Sequence, residues 1–151
     1  MQVAVCPEYG PPELVRIQSR PIPVPGEGQV RVRVRAAAVN FPDVLLIGGK
    51  YQITVPPPFV PGSEFAGVVE ELGPGVDSVA VGDRVTGTGI TGAFAEQVVV
   101  RAAGLAAIPA GIDDADAAAS GVTYHTAYHC LRSVARVRSG DELIVLGAGG
   151  G

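Results

Sequence analysis

Glycine and proline interrupt the first part of the chain at short intervals, and this spacing limits the fold to short strands joined by turns. The 151 residues include 21 glycines and 13 prolines, which separate runs rich in valine as far as about Pro109. Five such runs predict strands, at residues 2–6, 29–36, 64–72, 83–86 and 96–100. Several short strands between turn signals predict a mainly β domain, either a sandwich or a partly open barrel.

Valine and arginine alternate strictly over residues 30–35. The three valines of this run fall on one face of a strand and the three arginines fall on the other. The arginine face could hold a cofactor phosphate. We favour the simpler interpretation, which is the solvated outer face of a half-buried strand.

After Pro109 the pattern becomes helical. Asp113 and Asp114 suit the N-terminus of a helix, because carboxylates interact favourably with the positive end of the helix dipole, and the alanine-rich residues 115–119 follow. A second helix is predicted over about 123–136, where apolar residues recur at steps of three and four and form one apolar face.

The last ten residues are typical of the opening of a nucleotide-binding unit. Residues 142–146 predict a buried parallel strand, and Gly147, Gly149 and Gly150 predict the turn that lets the backbone approach a pyrophosphate at the start of the next helix. A glycine run alone is weak evidence. No helix follows in this sequence, so we expect an incomplete phosphate site. We also expect the apolar strand to cause either disorder after about Ser139 or self-association.

Charge and cysteine content exclude several functional classes. The formal net charge is -4, which argues against nucleic acid or an anionic membrane surface as the main partner. No apolar stretch reaches the roughly 18–20 residues that span a bilayer. The two cysteines are far apart in sequence, and the N-terminus has no basic segment followed by an apolar core. We therefore expect a cytoplasmic protein without a membrane or nucleic-acid partner.

His125, His129 and Cys130 form the one grouping that suggests a metal. Two histidines four residues apart share a helix face and could bind a metal ion. No third ligand follows at a suitable spacing. We favour ordinary helix histidines and expect no metal here.

Five motifs in a fixed order carry a family resemblance. They are residues 40–43 (Asn-Phe-Pro-Asp), 49–51 (Gly-Lys-Tyr), 61–67 (Pro-Gly-Ser-Glu-Phe-Ala-Gly), 82–85 (Gly-Asp-Arg-Val) and 92–96 (Gly-Ala-Phe-Ala-Glu). The set resembles the medium-chain dehydrogenase/reductase superfamily over essentially the whole chain, and within it the zinc-independent NADPH:quinone oxidoreductase, or zeta-crystallin-like, branch.

The resemblance implies a domain organisation. Residues 1–111 would form a GroES-like, partly open β-barrel with short helices, and residues 112–151 would form the first helix and strand of a Rossmann domain. Because members of the family run well beyond this length, the chain resembles an N-terminal fragment. We expect residues 1–151 alone to lack productive NADPH binding and to be inactive.

The resemblance also implies that zinc is missing. In zinc-dependent members of the superfamily the catalytic ion is held by a cysteine, by a histidine and by a later cysteine or carboxylate. The matching positions here are Asn40, Ser63 and, less securely, Val122. An amide, a hydroxyl and an apolar side chain do not replace thiolate and imidazole on zinc. The structural zinc of the family needs four cysteines, and this chain has two in total.

Without a Lewis acid, the expected reaction is hydride transfer from a nicotinamide cofactor to a quinone or activated enone, whose conjugation spreads the arriving charge. The residues do not distinguish NADPH from NADH, and the resemblance alone implies NADPH. The resemblance places Asn40 and Tyr51 in the catalytic cleft. Asn40 would hydrogen-bond the nicotinamide ribose or the substrate oxygen, or else simply form a turn. Tyr51 would donate a hydrogen bond or a proton to the substrate oxygen, or else pack at a loop edge. Thr126 would approach the nicotinamide ring, or else bond its own backbone.

Asp43, Ser63 and Glu64 are interpreted as supports of this cleft. Their spacing does not favour paired acid–base carboxylates or a nucleophilic serine. Two alternatives stay open, an enoyl-thioester reductase of the same superfamily and a non-catalytic GroES-like binding module. The expected assembly is a homodimer.

Overall fold

The computed structural model describes residues 1–147. Over this range the chain forms seven strands, two α-helices, two single turns of 3-10 helix and one π-helical segment. The strands are β1 (Gln2–Val5), β2 (Arg16–Ser19), β3 (Gln29–Ala38), β4 (Glu64–Leu72), β5 (Arg84–Thr88), β6 (Gln97–Arg101) and β7 (Leu105–Ala107). The helices are α1 (Phe41–Ile47) and α2 (Asp114–Tyr128), the 3-10 turns are Pro12–Leu14 and Ala102–Gly104, and the π-helical segment is His129–Val134.

Five strands form one antiparallel sheet in the order β6-β3-β4-β5-β7, and β1 pairs with β2 in a separate two-stranded sheet. All five strands predicted from the sequence are confirmed, with ends that differ by one or two residues. The two strands that were not predicted carry little pattern. Arg16–Ser19 is exposed along its whole length, and Leu105–Ala107 has only three residues.

The alternating run over residues 30–35 lies on β3, an inner strand between β6 and β4. Val30 and Val32 are fully buried in the main core with apolar side chains from β4, β5 and β6. On the other face Arg33 is exposed and its Nε lies 3.1 Å from Glu70 Oε1, while Arg31 is half-buried and forms ion pairs with carboxylates of β4. The arginine face is therefore an ion-paired outer surface.

Helix α2 begins as predicted. Asp113 caps it, because its Oδ1 accepts a hydrogen bond from the backbone N–H of Asp116 at 2.7 Å. Arg84 of β5 holds the first turn through an ion pair with Asp114 at 2.6 Å. Ala117 and Ala118 then bury the helix against the sheet.

The prediction of two separate helices after residue 113 is wrong. Helix α2 runs unbroken through Gly121 and continues into the π-helical segment. A Cβ on Gly121 would lie 2.6 Å from Thr88 Cγ2 and 2.9 Å from Glu64 Oε2. Glycine at this position therefore permits a close approach of helix and sheet and does not end the helix.

The predicted strand at residues 142–146 is not formed. Residues 141–145 have no regular secondary structure, and Ile144 and Leu146 are 84% and 90% exposed. A strand needs a hydrogen-bonded neighbour, and within residues 1–147 no other segment pairs with this one. Gly147 lies in a turn with φ of +70°, and Gly149 and Gly150 lie outside the described residues.

Candidate active site

Four buried polar residues meet where β3, α1 and β4 come together. Asn40, Asp43, Ser63 and Glu64 are 9%, 1%, 7% and 1% exposed. Asn40 immediately precedes α1, Asp43 lies in its first turn, and Ser63 and Glu64 stand at the start of β4. We refer to these four residues as the buried polar cluster.

Hydrogen bonds connect all four members of the cluster. The Asn40 side-chain Nδ2 donates to Glu64 Oε1 at 2.8 Å and to Ser63 Oγ at 3.4 Å. Ser63 Oγ lies 3.4 Å from Asp43 Oδ2 as a donor. The backbone N–H of Asn40 donates to the same Asp43 oxygen at 2.8 Å, which closes the first turn of α1. The side-chain positions are therefore mutually determined.

Glu64 joins the cluster to helix α2. One of its carboxylate oxygens accepts from Asn40, and the other accepts from the backbone N–H of Val122 at 2.7 Å. Both oxygens act as acceptors, which suits a carboxylate. The absence of a side chain on Gly121 lets the helix come this close.

Asp43 is the cluster's unusual acid. Burial is the main reason that its pKa is raised, and the negative charge of Glu64 raises it further. The Asn40 backbone, the Ser63 hydroxyl and the Gly62 backbone oppose the shift as hydrogen-bond donors. Its Oδ1 is buried without a hydrogen-bond partner in the described chain. Over residues 1–147 no lysine, arginine or histidine forms an ion pair with Asp43 or Glu64.

A cavity of about 120 Å³ lies beside the cluster. Its only polar side chains, within the part of the chain that the structure describes, are those of Ser63 and Tyr51. Apolar residues complete the wall, namely Pro42, Leu46, Ile53, Ile90 and Val122. Asn40 does not line this cavity. A larger cavity of about 540 Å³ opens between β5 and α2 and contains none of the predicted site residues.

Tyr51 shares the cavity wall with Ser63. Its ring is half-buried against a small core that includes Cys6, Leu46 and Phe59. The Tyr51 side chain therefore packs against this small core and also lines the cavity. The structure thus places five of the predicted site residues near one another, namely the buried polar cluster and Tyr51.

Two other predicted cofactor residues lie apart from this group. Thr126 is exposed on α2, and Gly147 is exposed in the turn after it. The hydroxyl-to-backbone bond considered for Thr126 is made instead by Thr123, whose Oγ1 donates to Ala119 O at 2.9 Å. Sequence reasoning missed the Val122 backbone N–H, for which a glycine inside an alanine-rich helix was the available signal.

Comparison with known proteins decides the family. The model of the alcohol dehydrogenase GroES-like domain matches residues 26–110. The chain belongs to this family. It is thereby a member of the medium-chain dehydrogenase/reductase superfamily, with quinone oxidoreductase-like relatives. The expectation of a mainly β, GroES-like fold is confirmed.

Two curated relatives show the range of proteins that contain such a GroES-like domain. The chain is 39% identical over 150 residues to quinone oxidoreductase-like protein 2 of Rattus norvegicus, which covers 99% of this chain and 42% of that protein. It is 47% identical over 116 residues to erythronolide synthase EryA2 of Saccharopolyspora erythraea, which covers 77% of this chain and 3% of that protein.

Solved structures agree on the fold. A probable oxidoreductase from Mycobacterium abscessus matches with a TM-score of 0.93 and 38% identity, over 100% of this chain and 48% of that chain. The quinone oxidoreductase of Escherichia coli, solved in complex with NADPH, matches with a TM-score of 0.82 and 31% identity, over 87% of this chain and 40% of that chain. The GroES-like chain thus spans less than half of each of these proteins.

The donor set of this GroES-like domain does not fit a catalytic zinc. Asn40 presents its amide N–H groups to the cluster, and Ser63 presents a hydroxyl, where thiolate and imidazole are needed. Within residues 1–147 no group of three or more histidine, cysteine, aspartate or glutamate side chains is arranged to hold a metal. His125 and His129 are exposed on the last turns of the helical region.

None of the helices described over residues 1–147 has the length and apolar character needed to cross a membrane.

Proposed function

We propose that this chain is the substrate side of an oxidoreductase that transfers hydride from NADPH to a quinone or an activated enone without zinc. The observation that carries the proposal is an apolar cavity whose polar side chains are a phenol and a hydroxyl, backed by a hydrogen-bonded amide. Quinone oxidoreductase-like relatives, including one solved with NADPH, support the same reaction class.

NADPH, when bound, supplies the hydride. The part of this chain is to hold the acceptor and to stabilise the charge that the hydride brings. Tyr51 donates a hydrogen bond to the acceptor oxygen as negative charge develops there. The apolar side chains of Leu46, Ile53 and Ile90 line the same cavity, so they offer a surface for the apolar part of the acceptor.

Asn40 receives a narrower role than the sequence allowed. Its Nδ2 donates to both Glu64 and Ser63, so the amide offers only its Oδ1 as a further partner. A carbonyl oxygen accepts hydrogen bonds and does not donate them. Asn40 therefore suits a hydroxyl donor, such as a ribose hydroxyl, better than a substrate carbonyl oxygen.

We assign the remaining cofactor contacts to residues 112–151. Thr126 would lie on the nicotinamide side, and Gly147, Gly149 and Gly150 would approach the pyrophosphate, as the family resemblance implies. The proposal also includes a cytoplasmic location and a homodimeric assembly. Sedimentation velocity of the whole protein tests the assembly.

The test is a steady-state assay of the whole protein that contains residues 1–151. We expect NADPH oxidation with a benzoquinone, unchanged by a zinc chelator, and no NADPH binding to residues 1–151 alone. Tyr51→Phe should lower kcat by roughly 100-fold, as loss of one hydrogen-bond donor to a developing oxyanion does, and Tyr128→Phe, a 66% exposed tyrosine, should not. Activity that needs added zinc would contradict the proposal.

An enoyl-thioester reductase is the second candidate. The 47% identity to erythronolide synthase favours it, because it exceeds the 39% identity to the quinone oxidoreductase-like relative. A crotonyl thioester offered in the same assay separates the two candidates. A much higher kcat/KM for the thioester than for the quinone would replace quinone reduction by thioester reduction.

A further inference from the structure

We propose that Ser63 transfers a proton to the reduced substrate and that Asp43 resupplies Ser63, so that the buried polar cluster is the proton source of the reaction. This rests on the proposed function, since it names how the negative charge left by hydride addition is quenched. It gives catalytic work to two residues that sequence reasoning treated as supports.

Ser63 is the point where the cluster meets the cavity. It lines the cavity wall, yet it is only 7% exposed, so its hydroxyl is reached from the cavity and not from the general surface. The other members of the cluster do not line that wall. A substrate oxygen in the cavity therefore reaches the cluster only through the Ser63 hydroxyl.

Asp43 stores the proton because two buried carboxyls share one cluster without a cation. Asp43 and Glu64 are each 1% exposed, and over residues 1–147 neither forms an ion pair. Burying two negative charges side by side is strongly unfavourable, so one carboxyl retains its proton. Glu64 accepts hydrogen bonds at both oxygens, whereas Asp43 leaves Oδ1 unpartnered. The raised pKa of Asp43 agrees with this assignment.

Asn40 sets the direction of the transfer. Its Nδ2 donates to Ser63 Oγ, so the serine hydrogen cannot point toward Asn40. When Asp43 carries the proton, its O–H donates to the second lone pair of the same oxygen across the 3.4 Å separation. A hydroxyl that accepts twice has its own hydrogen free to point into the cavity. Asn40 and Glu64 are thus positioning residues.

The proton balance closes with water as the only further reactant. The acceptor that has gained a hydride carries an anionic oxygen. The Ser63 O–H bond breaks as a new O–H bond forms on that oxygen, and Ser63 Oγ takes the proton of Asp43. Asp43 is left as a carboxylate. After the product leaves, one proton from the solvent returns to Asp43 through the Ser63 hydroxyl, so each turnover consumes one solvent proton. The serine ends each turnover unchanged.

The first test measures the protonation of Asp43 directly and needs no activity assay. In residues 1–151 labelled with carbon-13 at aspartate carboxyls, we expect the Asp43 carboxyl to titrate with a midpoint above its ordinary pKa of 3.8. Asp43→Asn identifies its signal. Ser63→Ala should move the Asp43 midpoint, whereas Ser120→Ala, whose hydroxyl donates to Ala117 O, should not. An Asp43 midpoint at or below 3.8 would overturn the assignment of the stored proton to Asp43.

The second test uses the whole active protein. We expect kcat to fall as pH rises through the raised pKa of Asp43, because only the protonated acid donates. This limb should vanish in Asp43→Asn. Ser63→Ala should lower kcat by roughly 100-fold, and Ser63→Thr, which retains a hydroxyl, should restore most of it. A Ser63→Ala variant with the wild-type kcat and pH profile would overturn the relay alone, whereas an inactive wild type would overturn the proposed function.

Discussion

Patterned apolar side chains are buried in the sheet of residues 1–110 and exposed over residues 124–146. In the first region Val30 and Val32 are completely buried in the sheet core. In the second, Tyr124 is 72% exposed and Ile144 is 84% exposed. Both regions show apolar patterning in the sequence. The sequence pattern therefore determines which face of an element is apolar, while burial requires another part of the structure that covers this face.

Helix α2 contains the boundary between the two regions. Ala117, Ala118 and Gly121 near its start are buried against the sheet, and from Tyr124 onward every position to Arg136 is exposed. The last buried point is where Glu64 accepts the Val122 N–H. The helix is therefore held at one end by packing, by an ion pair and by the cluster. The remainder depends on its own backbone hydrogen bonds.

The greatest loss of stability is predicted for a substitution in the well-packed sheet. A Cβ on Gly67 would lie 2.1 Å from the backbone oxygen of Arg33 in the paired strand, and paired backbone cannot move aside cheaply. Gly67→Ala should lower the free energy of unfolding by about 3 kcal/mol or more, the upper end for overpacking. Gly104→Ala, where nothing lies within 4 Å, is the control. Equal urea midpoints for the two variants would refute the difference.

A smaller loss is expected at the boundary. In Glu64→Gln one of the two acceptor oxygens becomes an N–H group that faces either Asn40 Nδ2 or the Val122 N–H. A buried donor facing a donor costs about 1–3 kcal/mol. Glu142→Gln, an exposed site in the second region, should leave the unfolding free energy unchanged. The rate of amide hydrogen exchange in α2 should rise in Glu64→Gln only. Equal exchange protection of α2 in both variants would argue against the role of Glu64 in holding the helix.

The pH dependence of stability sharpens the comparison further. The pKa of Asp43 is raised in the folded state above its ordinary value of 3.8. Its stabilising contribution is therefore complete below that value and is lost as pH rises through the raised pKa. Asp43→Asn mimics the protonated acid and should remove this decline, while Asp113→Asn should retain it. Urea denaturation at several pH values measures the effect, and parallel declines in both variants would contradict it.

The smallest effect is expected in the uncovered region. Ile144→Ser and Leu146→Ser replace exposed side chains, so they should change the unfolding free energy by less than about 0.5 kcal/mol. If this apolar segment causes self-association, the same variants should shift sedimentation of residues 1–151 toward the monomer. A large loss of stability would mean that the segment is packed in solution.

Much of the site was predictable from the sequence because its residues stand in short motifs at the ends of strands. The run 40–43 and the pair Ser63 and Glu64 marked the cluster, and Tyr51 marked the cavity. The direction of each hydrogen bond was not predictable. Whether Asn40 or Ser63 faces the cavity depends on Glu64 and Val122, which are far from Asn40 in sequence.

The sequence by itself determined the strands and the inner face of the sheet, because side chains alternate along a strand over neighbouring residues. It also determined the start of α2, since a capping aspartate acts within one turn. Tertiary structure alone decided that α2 continues through Gly121, that β2 and β7 form, and that Ser63 opens to the cavity. Each of these depends on atoms brought together from distant positions, where packing and long-range hydrogen bonds outweigh local preference.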